Sequence, residues 1–271
     1  MLYHCSMYSK WQMAKKYMLY RWHASNSKGH GVHSPFVFNF ITQVLNDKRF
    51  FYCYETIETA REQLKQDKTL LTIEDFGAGS RIHSHTQRTV KDIATSSLKP
   101  KKYSQLLFRM VNYFKPATIL ELGTSLGITT SYLACGKEDA QVITLEGANA
   151  VATIARQHFQ SLRLKNIQVV TGNFDDTLPG TLAQLSSIDF AFIDGNHRLQ
   201  PTLDYFNQLL PKVHEYSVLI FDDIHWSQEM EEAWNTIKAH EQVRLTIDLF
   251  FIGIVFFRKE NKVKQDFTIR F

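Results

Sequence analysis

The chain has 271 residues, 44% hydrophobic, 21% charged and 13% aromatic, with 12 glycines and 6 prolines. That composition excludes a disordered or collagen-like chain, and the length accommodates one large domain plus an accessory segment. The net charge of +4 is unevenly spread: residues 1–102 hold 16 Lys+Arg against 8 Asp+Glu, and residues 103–271 hold 15 against 19. A basic front third suits an anionic partner, although a solvated helical face explains the charges more simply.

In chain order, Ser9–Trp22 spaces Trp11, Ala14, Met18 and Trp22 three and four apart. This predicts an amphipathic helix, packed on the main domain or on a second subunit in a homodimer rather than lying on a membrane. Gly31 and Pro35 interrupt it, and Pro35 opens a second helix over Phe36–Leu45. A polar helix follows over Glu55–Lys68; residues 72–100 read as mixed and loop-like, with Lys99–Lys102 as the junction. Short apolar runs then recur at Thr118–Leu122, Gln141–Leu145, Ile167–Val170, Asp189–Ile193 and Ser217–Phe221. Helical stretches accompany them at 104–115, 126–137, 148–163, 175–186, 199–213 and 227–240. Apolar strands alternating with helices predict a parallel sheet covered on both faces. Arg244–Phe251 and Ile254–Arg258 are separated only by Ile252 and Gly253, which predicts an antiparallel hairpin. The expected fold is α/β: a Rossmann-like, doubly wound, mostly parallel sheet with an antiparallel C-terminal hairpin over residues 101–271. A mainly helical accessory or lid segment over residues 1–100 precedes it.

No apolar run approaches the ~20 residues of a membrane span. Met1–Lys16 lacks the apolar stretch of a signal peptide, and Cys5, Cys53 and Cys135 have neither disulfide-framework nor zinc spacing. The expected compartment is the reducing cytoplasm.

In such folds ligands bind beyond the carboxyl ends of the strands. The first run ends in Glu121-Leu-Gly123-Thr124-Ser125-Leu-Gly127, a glycine turn that lets a ligand approach the backbone, with Gly127 close to the sheet. The second ends at Glu146 and Gly147, where a carboxylate accepts hydrogen bonds from ribose hydroxyls. Asn173 and Phe174 follow the third run and offer an amide and an apolar face to an adenine ring. The fourth and fifth runs end in Asp194 with His197, and in Asp222-Asp223 with His225. A second glycine turn, Glu74-Asp-Phe-Gly-Ala-Gly-Ser80, lacks a following apolar helix and reads as a structural turn or lid.

Leu120–Gly127, Thr144–Gly147, Phe192–Gly195 and Phe221–Asp223 with Trp226 resemble the motifs of class I S-adenosylmethionine-dependent methyltransferases. Within them the chain resembles the catechol, caffeoyl-CoA and sugar O-methyltransferase group, over about residues 103–259. The resemblance implies S-adenosyl-L-methionine as cofactor, held by Glu121, Gly123, Thr124, Ser125, Gly127, Glu146, Gly147, Asn173, Phe174 and Asp194. It also implies a divalent cation, Mg²⁺, on Asp194, Asp222 and Asp223. Asn196 and His197 stand where relatives carry an acid or a lysine, so the catalytic candidates are Asp194, His197 and His225, either histidine accepting a proton near neutral pH.

The expected activity is O-methylation of a small-molecule hydroxyl. The alternatives are methylation of an RNA nucleotide, suggested by the basic front third without any RNA-binding motif, and a non-catalytic cofactor-binding scaffold. A metal-free arrangement competes with the cation site: Asp194 is then base or substrate anchor, and Asp222-Asp223 precede the helix that Ser227 caps. His30-x-x-His33 and His83-x-His85 lack the partner cysteines of a zinc site.

Overall fold

Ser9 opens the first helix, α1 (Lys10–His23), with a capping box: its hydroxyl accepts from the Gln12 amide, and the Gln12 side chain accepts from the Ser9 amide. Such a cap contributes about 1 kcal/mol. The face that α1 buries is not the one its tryptophans suggest. Trp11, Met18 and Trp22 are 87%, 66% and 81% exposed, while Met13, Tyr17, Tyr20 and Ala24 pack with Phe250 and Phe251. Both stripes have helical spacing, so tertiary contact alone selects between them. The computed structural model describes residues 7–25, 29, 32–75 and 84–271. Cys5, His30, Gly31 and the second glycine turn from Phe76 through His83 lie outside the described residues.

The remaining elements are α2 (Pro35–Phe40) continued by a π turn (Ile41–Leu45), α3 (Tyr54–Leu64), β1 (Leu70–Asp75), β2 (Ser84–Thr89), α4 (Val90–Ser97) and α5 (Lys101–Phe114). The α/β alternation follows: β3 (Thr118–Leu122), α6 (Ile128–Gly136), β4 (Gln141–Glu146), α7 (Asn149–Ser161), β5 (Ile167–Thr171) and α8 (Phe174–Ala183). It continues with β6 (Phe190–Ile193), α9 (Leu199–Leu209), β7 (Val218–Asp222), α10 (Gln228–Ala239), β8 (Leu245–Asp248), β9 (Ile252–Phe256) and β10 (Gln265–Thr268).

The chain forms two compact units, Asp47–Leu185 and Met1–Asn46 with Ser186–Phe271. This differs from the expected boundary near Lys99, because the first hundred residues are shared between the units. In unit 47–185, Phe51 and Tyr54 pack edge-on or tilted against Phe108 of α5, and Tyr54 also meets Tyr132 of α6. The segment Asp47–Ser97 is thereby part of the same core as the helices after it. β3, β4 and β5 are parallel, with β4 in the middle. Residues 72–100 are not loop-like: β1 and β2 pair antiparallel, and Thr89 caps α4 in a box with Asp92.

In the other unit the strand order is β10-β8-β9-β7-β6. β6 runs parallel to β7, β9 is antiparallel to both β7 and β8, and β10 adds in parallel to β8. The expected hairpin is present, with its turn at Leu249–Phe251 instead of Ile252-Gly253. Gly253 lies inside β9, where a Cβ would stand 2.7 Å from the Trp234 ring. It is a glycine for close packing rather than for a turn.

Candidate functional site

In unit 47–185 the chain leaves β3 through three residues of positive φ, Gly123 (105°), Ser125 (48°) and Gly127 (82°). The turn is pinned by the Gly123 and Thr124 amides, both donating to the Leu145 carbonyl at 3.0 and 3.1 Å, and by Gly127 N–H to Thr124 O at 2.9 Å. A Cβ on Gly127 would lie 2.5 Å from the Phe159 ring. The glycine therefore seats α6 against α7, where closeness to the sheet was expected.

Glu146, at the end of β4, holds this turn and the next one together. Its Oε2 accepts from the Ser125 amide at 2.8 Å and its Oε1 from the Ala148 amide at 3.0 Å. Burial raises its pKa, opposed by the amides of Ala148, Ser125 and Gly147. Three amide donors leave at least one lone pair on the carboxylate, so it can still accept from a ligand hydroxyl. Asn173 accepts from the Asp175 amide at 3.2 Å and caps α8, Phe174 is half-buried at its first position, and Gly172 donates to Glu146 O at 2.9 Å.

Glu121 sits fully buried beneath the turn. Its Oε2 accepts from the Thr130 hydroxyl at 2.5 Å and the Thr144 hydroxyl at 2.7 Å, and Thr124 and Thr144 hydroxyls are 2.6 Å apart. Since Thr144 donates to the carboxylate, Thr124 donates to Thr144, giving an ordered relay. Sequence reasoning missed Thr130 and Thr144; the available signal is a hydroxyl inside the apolar run of β4 and another in the first turn of α6. Glu121 Oε1 has no partner among the described residues. Burial pushes the Glu121 pKa up to about 7, against the two threonine hydrogen bonds. A carboxyl whose folded pKa is raised contributes stability at acid pH that is lost as pH rises towards 7. Glu121→Gln, which cannot ionise, should therefore gain thermal stability relative to the native chain as pH is raised from 5 to 8. A constant difference in melting temperature across that series would contradict the assignment.

In the other unit Asp194 follows β6 and Asp222 ends β7. One ligand atom each from Asp194, His197 and Asp222 lies within 4.8 Å of the others, the only such trio among the described residues. His197 Nε2 is 3.6 Å from Asp194 Oδ1, and Asp222 is 2% exposed. Asp223, the expected third ligand, is absent from the trio. It has φ 51°, and its amide donates to Phe251 O at 2.6 Å, so the backbone turns at this residue.

His225 has a different occupation from the proton acceptor expected of it. Its Nδ1 lies 2.9 Å from Glu231 Oε1, its Nε2 lies 2.8 Å from Asp248 Oδ2, and its ring stacks on Phe250. Burial alone would lower its pKa, but the two carboxylates override that and push it up to about 9. Near neutral pH it is an imidazolium with both N–H groups engaged, and it has no lone pair to take a proton. Glu231 also accepts from Lys16 at 2.9 Å and from the Tyr8 hydroxyl at 2.8 Å. Ser227 caps α10 as expected, and Glu229 accepts from the Leu199 amide at the start of α9.

Residues 120–224 match the family described as Methyltransferase domain. Over that stretch the chain is similar to a methyltransferase domain. It is similar to the O-methyltransferase from Bacillus cereus in complex with SAH: 21% identity, TM-score 0.55, covering 81% of this chain and 96% of that one. It is also similar to an SAH-bound methyltransferase of Podospora anserina: 13% identity, TM-score 0.55, covering 79% and 100%. At these identities the likeness shows the fold alone, a mostly parallel sheet flanked by helices with an antiparallel hairpin. An uncharacterized protein of Acanthamoeba polyphaga mimivirus is 37% identical over 70 residues, 25% of this chain, and the match spans only 29% of that protein. No helix among the described residues of the chain is long and apolar enough to cross a membrane.

Proposed function

We propose that the chain binds S-adenosyl-L-methionine through Gly123–Gly127, Glu121, Glu146, Gly147, Asn173 and Phe174, and methylates a hydroxyl of a small molecule. The observation that carries the reading is the positive-φ turn above Glu121, whose buried Oε1 has no partner among the described residues. Buried polar atoms in native folds have partners, and a bound ligand is one source of a partner for this oxygen. The turn brings backbone close to a ligand without Cβ atoms, and Glu146 presents an acceptor to ribose hydroxyls. The cofactor supplies a methyl group already activated by its sulfonium. The protein's task is then positioning, which can supply up to roughly 7–11 kcal/mol of a barrier.

Asp194, His197 and Asp222 are the residues that would hold a divalent cation, whose charge would acidify an acceptor hydroxyl. Two carboxylates with an imidazole suit Mn²⁺ better than Mg²⁺, which prefers oxygen ligands alone. A second reading rests on the His197–Asp194 pair: without a cation, Asp194 orients His197 and the imidazole accepts the hydroxyl proton.

Calorimetry tests the cofactor assignment: saturable binding of S-adenosylhomocysteine is expected, and its absence from the folded chain overturns the proposal. Transfer of labelled methyl to hydroxylated small molecules, with RNA assayed alongside, decides the acceptor class; labelling of RNA alone would replace the small-molecule reading. For the metal, Mn²⁺ should bind saturably, Asp222→Asn should weaken it at least tenfold, and Asp175→Asn, outside the trio, should leave it unchanged. Activity unaffected by EDTA, with no saturable Mn²⁺ site, would leave the His197–Asp194 reading standing.

A further inference from the structure

Two of the three cysteines meet inside unit 47–185. Cys53 immediately precedes α3 and Cys135 lies in the last turn of α6; they are 5% and 8% exposed and belong to one apolar cluster. Both are free thiols, and they sit close enough for each to shift the ionisation of the other. Both also line one cavity of about 630 Å³, together with Tyr52, Glu138, Arg163 and Lys165. The Tyr52 hydroxyl reaches the Cys135 carbonyl oxygen and Glu138 Oε1, each at 3.0 Å, and so braces this wall. No third ligating side chain joins the thiols among the described residues, which argues against a metal site.

We propose that Cys53 and Cys135 are a modification site, a dithiol that exchanges with an anionic low-molecular-weight disulfide entering this cavity and closes into a bond tying α3 to α6. Arg163 and Lys165 give the cavity the charge that carboxylates of such a disulfide require. The neighbouring thiol holds Cys135 below its ordinary pKa against the effect of burial, and Cys53 is raised by Cys135 and by burial. The attack is assigned to Cys135, which the Tyr52 hydroxyl braces at the cavity wall. Its thiolate forms a mixed disulfide and expels one thiolate; Cys53, losing its proton to that base, then attacks the Cys135 sulfur and expels the second. The oxidant is reduced to two thiols as the two cysteines are oxidised to one disulfide. Closure requires the sulfurs, which share one cavity wall, to meet at about 2.05 Å.

The experiment uses the full chain and oxidised glutathione, followed by blocking of remaining thiols, peptide mapping and melting measurements. The expected product is a Cys53–Cys135 bridge that raises the melting temperature by roughly 5–10 °C and is reversed by dithiothreitol. Cys53→Ser should instead stop at a glutathione adduct on Cys135, and Cys135→Ser should form neither adduct nor bridge at this site. Full alkylation of both thiols after oxidant treatment of the folded chain, an adduct that never closes in the native protein, or a bridge to Cys5 would each overturn the proposal. None of these readouts depends on cofactor binding or turnover.

Discussion

Gly127→Val should lower affinity for S-adenosylhomocysteine by more than about 100-fold while leaving a folded chain. Two independent terms act at this position. The backbone has φ 82°, a conformation that a β-branched residue resists, and the first side-chain atom would lie 2.5 and 2.7 Å from two Phe159 ring carbons and 3.4 Å from Ala155 Cβ. A left-handed non-glycine costs about 1–3 kcal/mol and overpacking about as much again. Relief requires α6 to move away from α7, carrying the 123–127 turn with it and pulling the Ser125 amide from Glu146. Gly180→Ala is the control, since beyond its chain neighbours and its own helix backbone no atom of the described residues lies within 4 Å of the added methyl. Calorimetry on both variants, with circular dichroism to establish folding, decides the matter. A folded Gly127→Val chain that binds as tightly as the native protein would remove the turn from the cofactor site.

His225→Gln should destabilise the unit that holds α1 by on the order of 3 kcal/mol at pH 6, seen as a melting temperature lower by roughly 5–12 °C. The imidazolium neutralises Asp248 and Glu231, which are largely buried, and glutamine leaves both without that charge. The pH dependence has a definite sign. With a folded pKa of about 9 against 6.5 unfolded, the His225 contribution is complete below about pH 6.5 and is lost as pH rises through 9. Glu231, lowered to about 2 by His225, Lys16 and Tyr8 despite burial, contributes above about pH 4.5 and loses that as pH falls through 2. The network is thus strongest between about pH 4.5 and 6.5. The difference between native and variant chains should shrink from pH 6.5 to 9.5, and parallel melting curves over that range would refute the charged hub.

Much of the architecture is local and was therefore readable from the chain. The runs from Thr118 to Phe221 became β3 to β7 with ends moved by a residue or so; β3, β4, β6 and β7 are largely buried, and strands buried on both faces need continuous apolar residues. The spacing from Gly123 to Glu146 identified two strand ends that the structure joins through the Ser125 amide. What stayed hidden depended on partners distant in sequence. β1, β2 and β10 carry polar residues whose strand character comes from pairing, as when Gln265–Thr268 adds alongside Leu245–Asp248. The outward tryptophans of α1 and the inward Met13–Ala24 stripe have the same helical period, and only the ring of Phe250 distinguishes them. Side-chain identity likewise left undecided which of several clustered groups converge. The positive φ of Asp223 turns the chain after β7, so that His197 completes the trio with Asp194 and Asp222, while Glu231 and Asp248 claim both nitrogens of His225. Periodicity determined which residues become strands and helices; the path of the backbone beyond each strand end decided which side chains meet there, because that path is set by contacts no local pattern encodes.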